Sequence, residues 1–156
     1  MKSSSYLSLT ALGLLIGGLF VFGDVIVAPA QAAHELEGRD VIKGKALYDA
    51  NCATCHGANL EGQKDWQSQG EDGIAPAPPH DETGHTWHHD NALLFFYTKL
   101  GGEKLLAARG VTDFKSGMPG FEGVMSDEDI WDTLAYIRST WPERIQDIQE
   151  ARNPPH

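Results

Sequence analysis

The sequence predicts an all-α fold, and three observations support that prediction. Three segments repeat apolar residues with the roughly 3.6-residue period of a helix, no segment shows convincing strand alternation, and the intervening stretches are irregular and rich in Gly and Pro. The length of 156 residues and the hydrophobic content of 41% fit one folded domain. No internal repeat and no long low-complexity tract is present, so solenoids and arrays are excluded.

The first predicted helix covers about residues 39–50, where an apolar stripe runs towards the only two cysteines of the chain. Gly44 and Tyr48 lie four residues apart and therefore share one face of this helix. A further short helical turn is expected on the surface between residues 143 and 152. The terminal residues 153–156 are expected to fray.

Two more predicted helices carry clear start signals. The second occupies about residues 90–100, with Asp90 as a plausible N-cap and two glycines after its end. The last lies within residues 126–142, where Ser126 is followed three residues later by Asp129, as in a capping box. Its apolar residues recur on one face, and a proline ends it.

The N-terminal part of the chain has the pattern of an export signal. One base, Lys2, precedes an apolar run over residues 6–22, and Ala30 to Ala32 form a small-x-small cleavage pattern. The chain is therefore divided into a signal peptide, residues 1–32, and one domain, residues 33–156. The expected location is the periplasm or the outer face of the cytoplasmic membrane. The alternative is an uncleaved anchor, because the run approaches the roughly 20 residues that span a bilayer.

The strongly acidic composition limits the classes of partner. The formal net charge is -10 and the isoelectric point is near 5.0. Removal of the signal segment takes away one base, Lys2, and one acid, Asp24, so the net charge stays at -10. Nucleic acid is excluded as a partner, because phosphate binding needs a basic surface. A protein partner with a basic docking patch is expected instead, and a membrane only if the N-terminal segment is retained.

The stretch NCATCHGANL holds both cysteines, Cys52 and Cys55, with His56 directly after the second. A zinc site needs about four ligands, and the chain has no second cysteine pair. A redox-active dithiol belongs in an alternating strand and helix pattern, which is absent from this sequence. Covalent attachment of one haem c explains all the positions: two thiols add to one porphyrin, and the next residue supplies an imidazole to the iron. An exported protein also benefits from a cofactor that cannot dissociate.

The sixth ligand of such an iron decides between an electron carrier and a catalyst or gas binder. Met118 lies between a glycine and a proline in a segment without periodicity, which predicts a loop able to turn its side chain inward. Met125 precedes the last predicted helix, so its expected role is packing. The histidine cluster offers rival ligands for the iron or for a second metal, with a hydrogen-bonded or solvated loop as the alternative: His80, His85, His88 and His89.

At this point the sequence resembles a class I c-type cytochrome, the bacterial soluble monohaem family, over about residues 39–142. The resemblance is carried by CATCH, by the MPG turn at Met118 and by SDEDIWDTLAYIRSTWP, which is similar to the family's last helix. It implies the cytochrome c fold, in which three main helices and loops wrap around one covalently bound haem. It also implies that the last helix crosses the first near Gly44, with Trp131 or Tyr136 against that glycine.

The same resemblance implies two further contacts to the haem site. A proline carbonyl accepts the second ring proton of the proximal histidine, and the best candidate in APAPPHD is Pro78, with Pro76 and Pro79 as alternatives. Trp87 in GHTWHHD could donate its indole N–H to a haem propionate, with packing as the alternative. The family has leucine two residues after the proline, whereas this chain has His80.

The function predicted from these features is the transfer of single electrons between redox partners, without a substrate reaction. The iron is predicted to be held between His56 and Met118, and a thioether ligand raises the reduction potential relative to two imidazoles. One alternative is a haem peroxidase or sensor in which Met118 dissociates. The other is a tethered subunit of a larger oxidoreductase, held by the uncleaved apolar segment.

Overall fold

The computed structural model describes residues 35–154, so the predicted signal segment, residues 1–32, lies outside the described residues. This part of the chain forms the helices α1 Val41–Asn51, α2 Ala53–His56, α3 Asn91–Leu100, α4 Gly102–Ala108, α5 Asp127–Ser139 and α6 Glu143–Glu150, and a 3-10 turn at Thr86–His88. Within residues 35–154 no strand is formed, which confirms the all-α prediction. None of the helices there has the length and apolarity needed to cross a membrane.

The crossing of α1 and α5 forms the centre of the fold. A Cβ atom placed on Gly44 would lie 2.0 Å from the carbonyl oxygen of Asp132 and 3.0 Å from Cβ of Tyr136, so only glycine permits this approach. Tyr48, one turn later, is fully buried, and its ring lies 5.6 Å from that of Tyr136. Tyr136 rather than Trp131 therefore meets the glycine, and Trp131 packs against α3 instead.

A side-chain cap precedes each of the three predicted helices, and the sequence marked two of these caps, Asp90 and Ser126. The side chain of Asp40 accepts from two amides of α1, and that of Asp90 accepts from the amide of Leu93. Ser126 and Asp129 form a complete capping box on α5. These side chains satisfy amides that have no partner inside the helix. The helices α3 and α5 begin one residue after the predicted positions, and α1 begins at Val41, two residues after the predicted start near residue 39.

The helical structure differs from the predictions at α4 and at the C-terminus. The seven-residue helix α4 was not predicted, because its N-cap Gly101 and its first residue Gly102 read as the end of the preceding helix. Asn153 was expected to fray, but its side-chain oxygen accepts from the backbone amide of Asn91 at 2.8 Å. The fully buried Gln149 also donates to the side chain of Asn91, at 2.7 Å. The C-terminal segment is thus anchored to the start of α3.

The hydrophobic core collects residues from α1, α3, α5 and α6 and from the connecting segments. Met125 is 6% exposed and belongs to this core, which confirms its predicted packing role. The ring of Trp131 stacks on that of Phe95, with centroids 4.4 Å apart, and joins α5 to α3. The core therefore fixes two helices that position the site. Helix α1 leads into the cysteine motif, and the end of α3 packs against the segment that contains Met118.

Candidate functional site

The cysteine motif sits on a tight turn that the end of α1 positions. Cys52 closes α1 by donating its amide to the carbonyl of Tyr48 at 2.8 Å, and it is also the N-cap of α2. Both thiols are free; Cys52 is half-buried and Cys55 is exposed. Burial raises the pKa of Cys52 to about 11, with a smaller contribution from Cys55. The thiol form of Cys52 at neutral pH does not suit a dithiol oxidoreductase, which needs a reactive thiolate.

His56 is buried, and its ring has a defined orientation. Its Nδ1 atom lies 2.8 Å from the carbonyl oxygen of Pro78. Because a carbonyl only accepts, Nδ1 carries the proton, and Nε2 keeps the lone pair that a metal needs. Burial lowers the pKa of His56, and the bond to Pro78 opposes this effect. The imidazole is therefore held in its neutral, metal-binding form.

Two glycines clamp the backbone that presents the Pro78 carbonyl. A Cβ atom on Gly62 would lie 2.4 Å from the nitrogen of Pro79, and one on Gly84 would lie 2.0 Å from its oxygen. The amide of Gly62 donates to the carbonyl of His56 at 2.8 Å, so the loop is tied to the motif itself. This clamp brings the carbonyl of Pro78, and not that of Pro76 or Pro79, to the His56 ring.

Met118 lies half-buried in a segment that packs on the junction between α3 and α4. A Cβ atom on Gly120 would lie 2.6 Å from the carbonyl of Leu100, so glycine allows the two backbones to touch. The carbonyl of Met118 accepts from the amide of Gly102 at 3.3 Å. The junction thus fixes both the segment's backbone and its distance from α3.

A second set of contacts holds the Met118 backbone through one hydroxyl. The Ser116 Oγ atom accepts from the amide of Met118 at 3.2 Å and lies 3.3 Å from the hydroxyl of Tyr97 on α3. Further along, the amide of Phe121 donates to the carbonyl of Thr98 at 3.1 Å. Beside this segment lies an open cavity of about 410 Å³, which Met118 helps to line together with residues of α4.

The histidine-rich loop is organised by aromatic contacts. The ring of His85 stacks on Trp66, with centroids 5.3 Å apart, and that of His88 stacks on Trp87 at 3.7 Å. Among residues 35–154 no group of three or more His, Cys, Asp or Glu side chains is arranged to hold a metal ion. Burial lowers the pKa of His85, which opposes protonation of this ring at neutral pH.

His80 stands apart from the other histidines of this loop. Its ring stacks on that of His56, with centroids 4.0 Å apart and planes 24° apart. A ligand opposite His56 would have to lie along the ring plane beyond Nε2, so a ring stacked on the face of His56 is not in that position. Burial lowers the pKa of His80 well below its usual range.

Trp87 makes a different hydrogen bond from the predicted one. Its indole N–H donates to the carbonyl of Glu82 at 3.3 Å, and its ring stacks on His88. A contact with a haem propionate would require exchange of this long bond, and that role stays a prediction. Two groups were missed by sequence reasoning: the Ser116 hydroxyl that supports Met118, and the glycine clamp on Pro79. The spacing of Gly62, the Pro-Pro pair and Gly84 in the sequence gives no signal for the clamp.

Residues 41–141 match the family model for cytochrome c. Among curated proteins, cytochrome c6 of Synechocystis sp. is 28% identical over 126 residues, which are 80% of this chain and 77% of that protein. Thiosulfate dehydrogenase of Stutzerimonas stutzeri is 34% identical over 111 residues, which are 70% of this chain and 30% of that protein.

A third relative is the cytochrome c subunit of the cytochrome bc1 complex of Corynebacterium diphtheriae, 46% identical over 55 residues, which are 35% of this chain and 20% of that protein. The chain thus spans less than a third of two of these three relatives. No solved structure gives a significant match. The alignment with the family model includes the cysteine motif, the histidine-rich loop, the Met118 segment and the last long helix.

Proposed function

Because the chain belongs to the cytochrome c family, whose members carry covalently bound haem c, we propose that it is an exported carrier of single electrons with His56 and Met118 as iron ligands. The observation that carries this proposal is the engaged Nδ1 atom of His56 directly after two free thiols. That arrangement leaves one ring nitrogen for a metal and two sulfur atoms for covalent attachment. These three atoms are the ones that haem c requires from a protein at this motif.

The residues of this chain have separate tasks at the proposed site. When bound, the haem iron supplies the one-electron couple. Cys52 and Cys55 would hold the macrocycle through two thioether bonds, and His56 would bind the iron through Nε2. The carbonyl of Pro78 keeps the proton on Nδ1, which orients the imidazole and increases its donor strength.

Met118 is the proposed second axial ligand. It lies half-buried, and the α3–α4 junction and the Ser116 hydroxyl support its backbone. A thioether favours ferrous iron and closes the iron to small molecules, and both properties suit a carrier. The relation to a thiosulfate dehydrogenase supports the alternative, an enzyme whose iron opens for a reactant.

A matched pair of methionine variants tests the ligation. Met118→Leu removes the thioether at nearly constant volume, and Met125→Leu makes the same change in the core. We expect the oxidised parent and Met125→Leu to show a methionine-to-iron charge-transfer band, and Met118→Leu to lose it and bind cyanide rapidly. An unchanged band in Met118→Leu would contradict this ligand assignment. A high-spin parent that binds cyanide at once would favour the enzyme or sensor alternative.

The proposed partners carry basic docking patches, and the loop after the cysteine motif is the proposed contact surface. Between residues 57 and 89 six acidic residues stand against one base, Lys64. Most of these acids are exposed, among them Glu71 and Glu82. An exposed acidic loop directly after the cysteine motif would attract a basic partner and accelerate association at low salt.

Small charged oxidants test this surface without a known partner. We expect a cationic cobalt complex to oxidise the reduced protein faster than anionic ferricyanide does, relative to their rates with a neutral haem peptide, with a rate that falls as salt rises. The double variant with Glu71→Lys and Glu82→Lys should lose much of this preference, whereas the double variant with Glu143→Lys and Asp147→Lys on α6, which changes the net charge equally, should retain it. Equal loss in both variants would show that overall charge, and not this loop, directs the encounter.

Export and cleavage after Ala32 remain part of the proposal, on the evidence of the sequence pattern. The relation to a subunit of the cytochrome bc1 complex supports the alternative of a tethered subunit. Intact mass spectrometry of the purified holoprotein decides between them. We expect the mass of residues 33–156 plus one haem. A mass that retains residues 1–32 would favour tethering.

A further inference from the structure

His80 occupies the position where the resembled family has leucine, and its side chain does what leucine cannot do. The planar imidazole lies almost flat against the ring of His56, with centroids 4.0 Å apart and planes 24° apart. A branched aliphatic side chain has no flat face to match a ring. The substitution therefore adds a planar support to the proposed iron ligand.

The support is itself immobilised by its surroundings. The Nδ1 atom of His80 lies 2.7 Å from the hydroxyl of Thr86, which is buried. The backbone of His80 is bonded at both ends: its amide donates to Leu60 at 2.8 Å, and its carbonyl accepts from the indole of Trp141 at 2.7 Å. The buried ring of Tyr48 lies edge-on, with centroids 6.3 Å apart. The ring of His80 cannot turn without losing its bond to Thr86.

His56 needs such a support because its single hydrogen bond leaves one rotation open. The bond from Nδ1 to Pro78 fixes the direction in which the imidazole points. It constrains only weakly the rotation of the ring about the axis that passes through Nδ1 and the ligand nitrogen. Contact with the face of His80 opposes that rotation, because turning the His56 ring would drive its edge into the neighbouring ring.

We propose that His80, held by Thr86, is a positioning residue that fixes the plane of the His56 imidazole and thereby the electronic structure of the iron site. The inference rests on His56 as the iron ligand. The plane of an axial imidazole determines how unpaired spin is distributed over the porphyrin in ferric iron. Groups behind a ligand commonly orient it and tune the metal in this way.

The test is proton NMR of the oxidised holoprotein, in which the four haem methyl resonances report the ligand plane. We expect His80→Leu to change the spread and order of these resonances, and Thr86→Val to change them in the same direction by a smaller amount. His88→Leu, which removes an exposed imidazole from the same loop, should leave them as in the parent. Absorption spectra should stay low-spin in all three variants, because the ligands themselves are retained.

The proposal is overturned if His80→Leu leaves the resonances unchanged, or if His88→Leu changes them equally. If His80→Leu yields no holoprotein, Thr86→Val decides, since it keeps the ring and removes its anchor, along with only a long 3.5 Å bond from the same hydroxyl to the Pro79 carbonyl. A shift supports the proposal and an unchanged spectrum overturns it. The absorption spectrum of the oxidised parent protein first tests the proposed ligation, through its methionine-to-iron band. The comparison among variants then tests His80 separately.

Discussion

The two proposed iron ligands are held in different ways. On the His56 side, comprising residues 52–62 and 78–86, the backbone is interlocked by two glycines against Pro79, and His56 is only 7% exposed. On the Met118 side, comprising residues 109–122, much of the chain is exposed. There the backbone is held by close contacts at Gly101 and Gly120, by the amide of Gly102 and by the Ser116 hydroxyl. The contacts on the His56 side are buried, whereas most of those on the Met118 side border solvent.

This difference indicates which ligand the protein would release first. Segments with few buried contacts and exposed hydrogen bonds open at a lower free-energy cost than interlocked ones. The Met118 side should therefore open locally while the His56 side stays folded. A glycine-to-alanine change on the His56 side should therefore mainly lower the free energy of unfolding. The same change on the Met118 side should mainly weaken the ligation of the iron by Met118.

The largest effect is expected from Gly84→Ala on the His56 side. The new Cβ atom would lie 2.0 Å from the oxygen and 2.7 Å from the carbonyl carbon of Pro79, and both are backbone atoms. The Pro78 carbonyl must shift, which weakens its bond to His56. We expect a loss of about 3 kcal/mol in the free energy of unfolding, as for severe overpacking. Guanidinium denaturation of the holoprotein measures it.

Gly70→Ala is the matched control for this change. Its Cβ atom would meet Asp72 Oδ1 at 3.1 Å and the carbonyl of Ile74 at 3.3 Å, in an exposed turn that can adjust. We expect a change below about 1 kcal/mol in the free energy of unfolding. Similar losses in the two variants would show that the clamp on Pro79 is not a special constraint.

Gly120→Ala makes the corresponding change on the Met118 side. The Cβ atom would lie 2.6 Å from the carbonyl group of Leu100, but the exposed segment can move outward. We expect a loss of about 1–2 kcal/mol in the free energy of unfolding and a marked decrease of the methionine-to-iron band. Gly123→Ala strains a backbone with φ of 82° without meeting another atom within 4 Å, and it should keep the band. A methionine-to-iron band of parental intensity in Gly120→Ala would contradict the inference that the Met118 side opens first.

Ser116→Ala should have a smaller effect on the same side. It removes the acceptor of the Met118 amide and the partner of the Tyr97 hydroxyl. The loss of about 1 kcal/mol expected for such a bond corresponds to about a fivefold faster opening, measured as the rate of cyanide binding. Tyr97→Phe removes one of the two contacts and should give an intermediate rate. A rate equal to that of the parent in Ser116→Ala would show that the hydroxyl does not restrain Met118.

The comparison also shows what sequence reasoning finds and what it misses. The starts of α3 and α5 were predicted because Asp90 and Ser126 satisfy amides of their own helices, which is a local property. The clamp on Pro79 was missed because it joins segments about 20 residues apart, and spacing alone does not reveal which backbones touch. The stacking of His80 on His56 is likewise a tertiary contact between two segments. The sequence showed only that His80 departs from the family pattern.

A substitution remote from both ligand sides, Asp129→Asn, should have the smallest effect of the four predicted changes. Asp129 accepts from Lys43 and from Ser126, and these bonds lower its pKa to about 2. A carboxyl with a depressed pKa in the folded state stabilises above its usual pKa and loses that contribution as the pH falls from about 4 to about 2. Asp129→Asn should thus lower the melting temperature slightly at neutral pH and converge with the parent near pH 2. Asp147→Asn on α6 is the control. A difference in melting temperature that stays constant across this pH range would contradict the role of the Asp129 charge. A changed methionine-to-iron band would contradict the expectation that Asp129 acts only between α1 and α5.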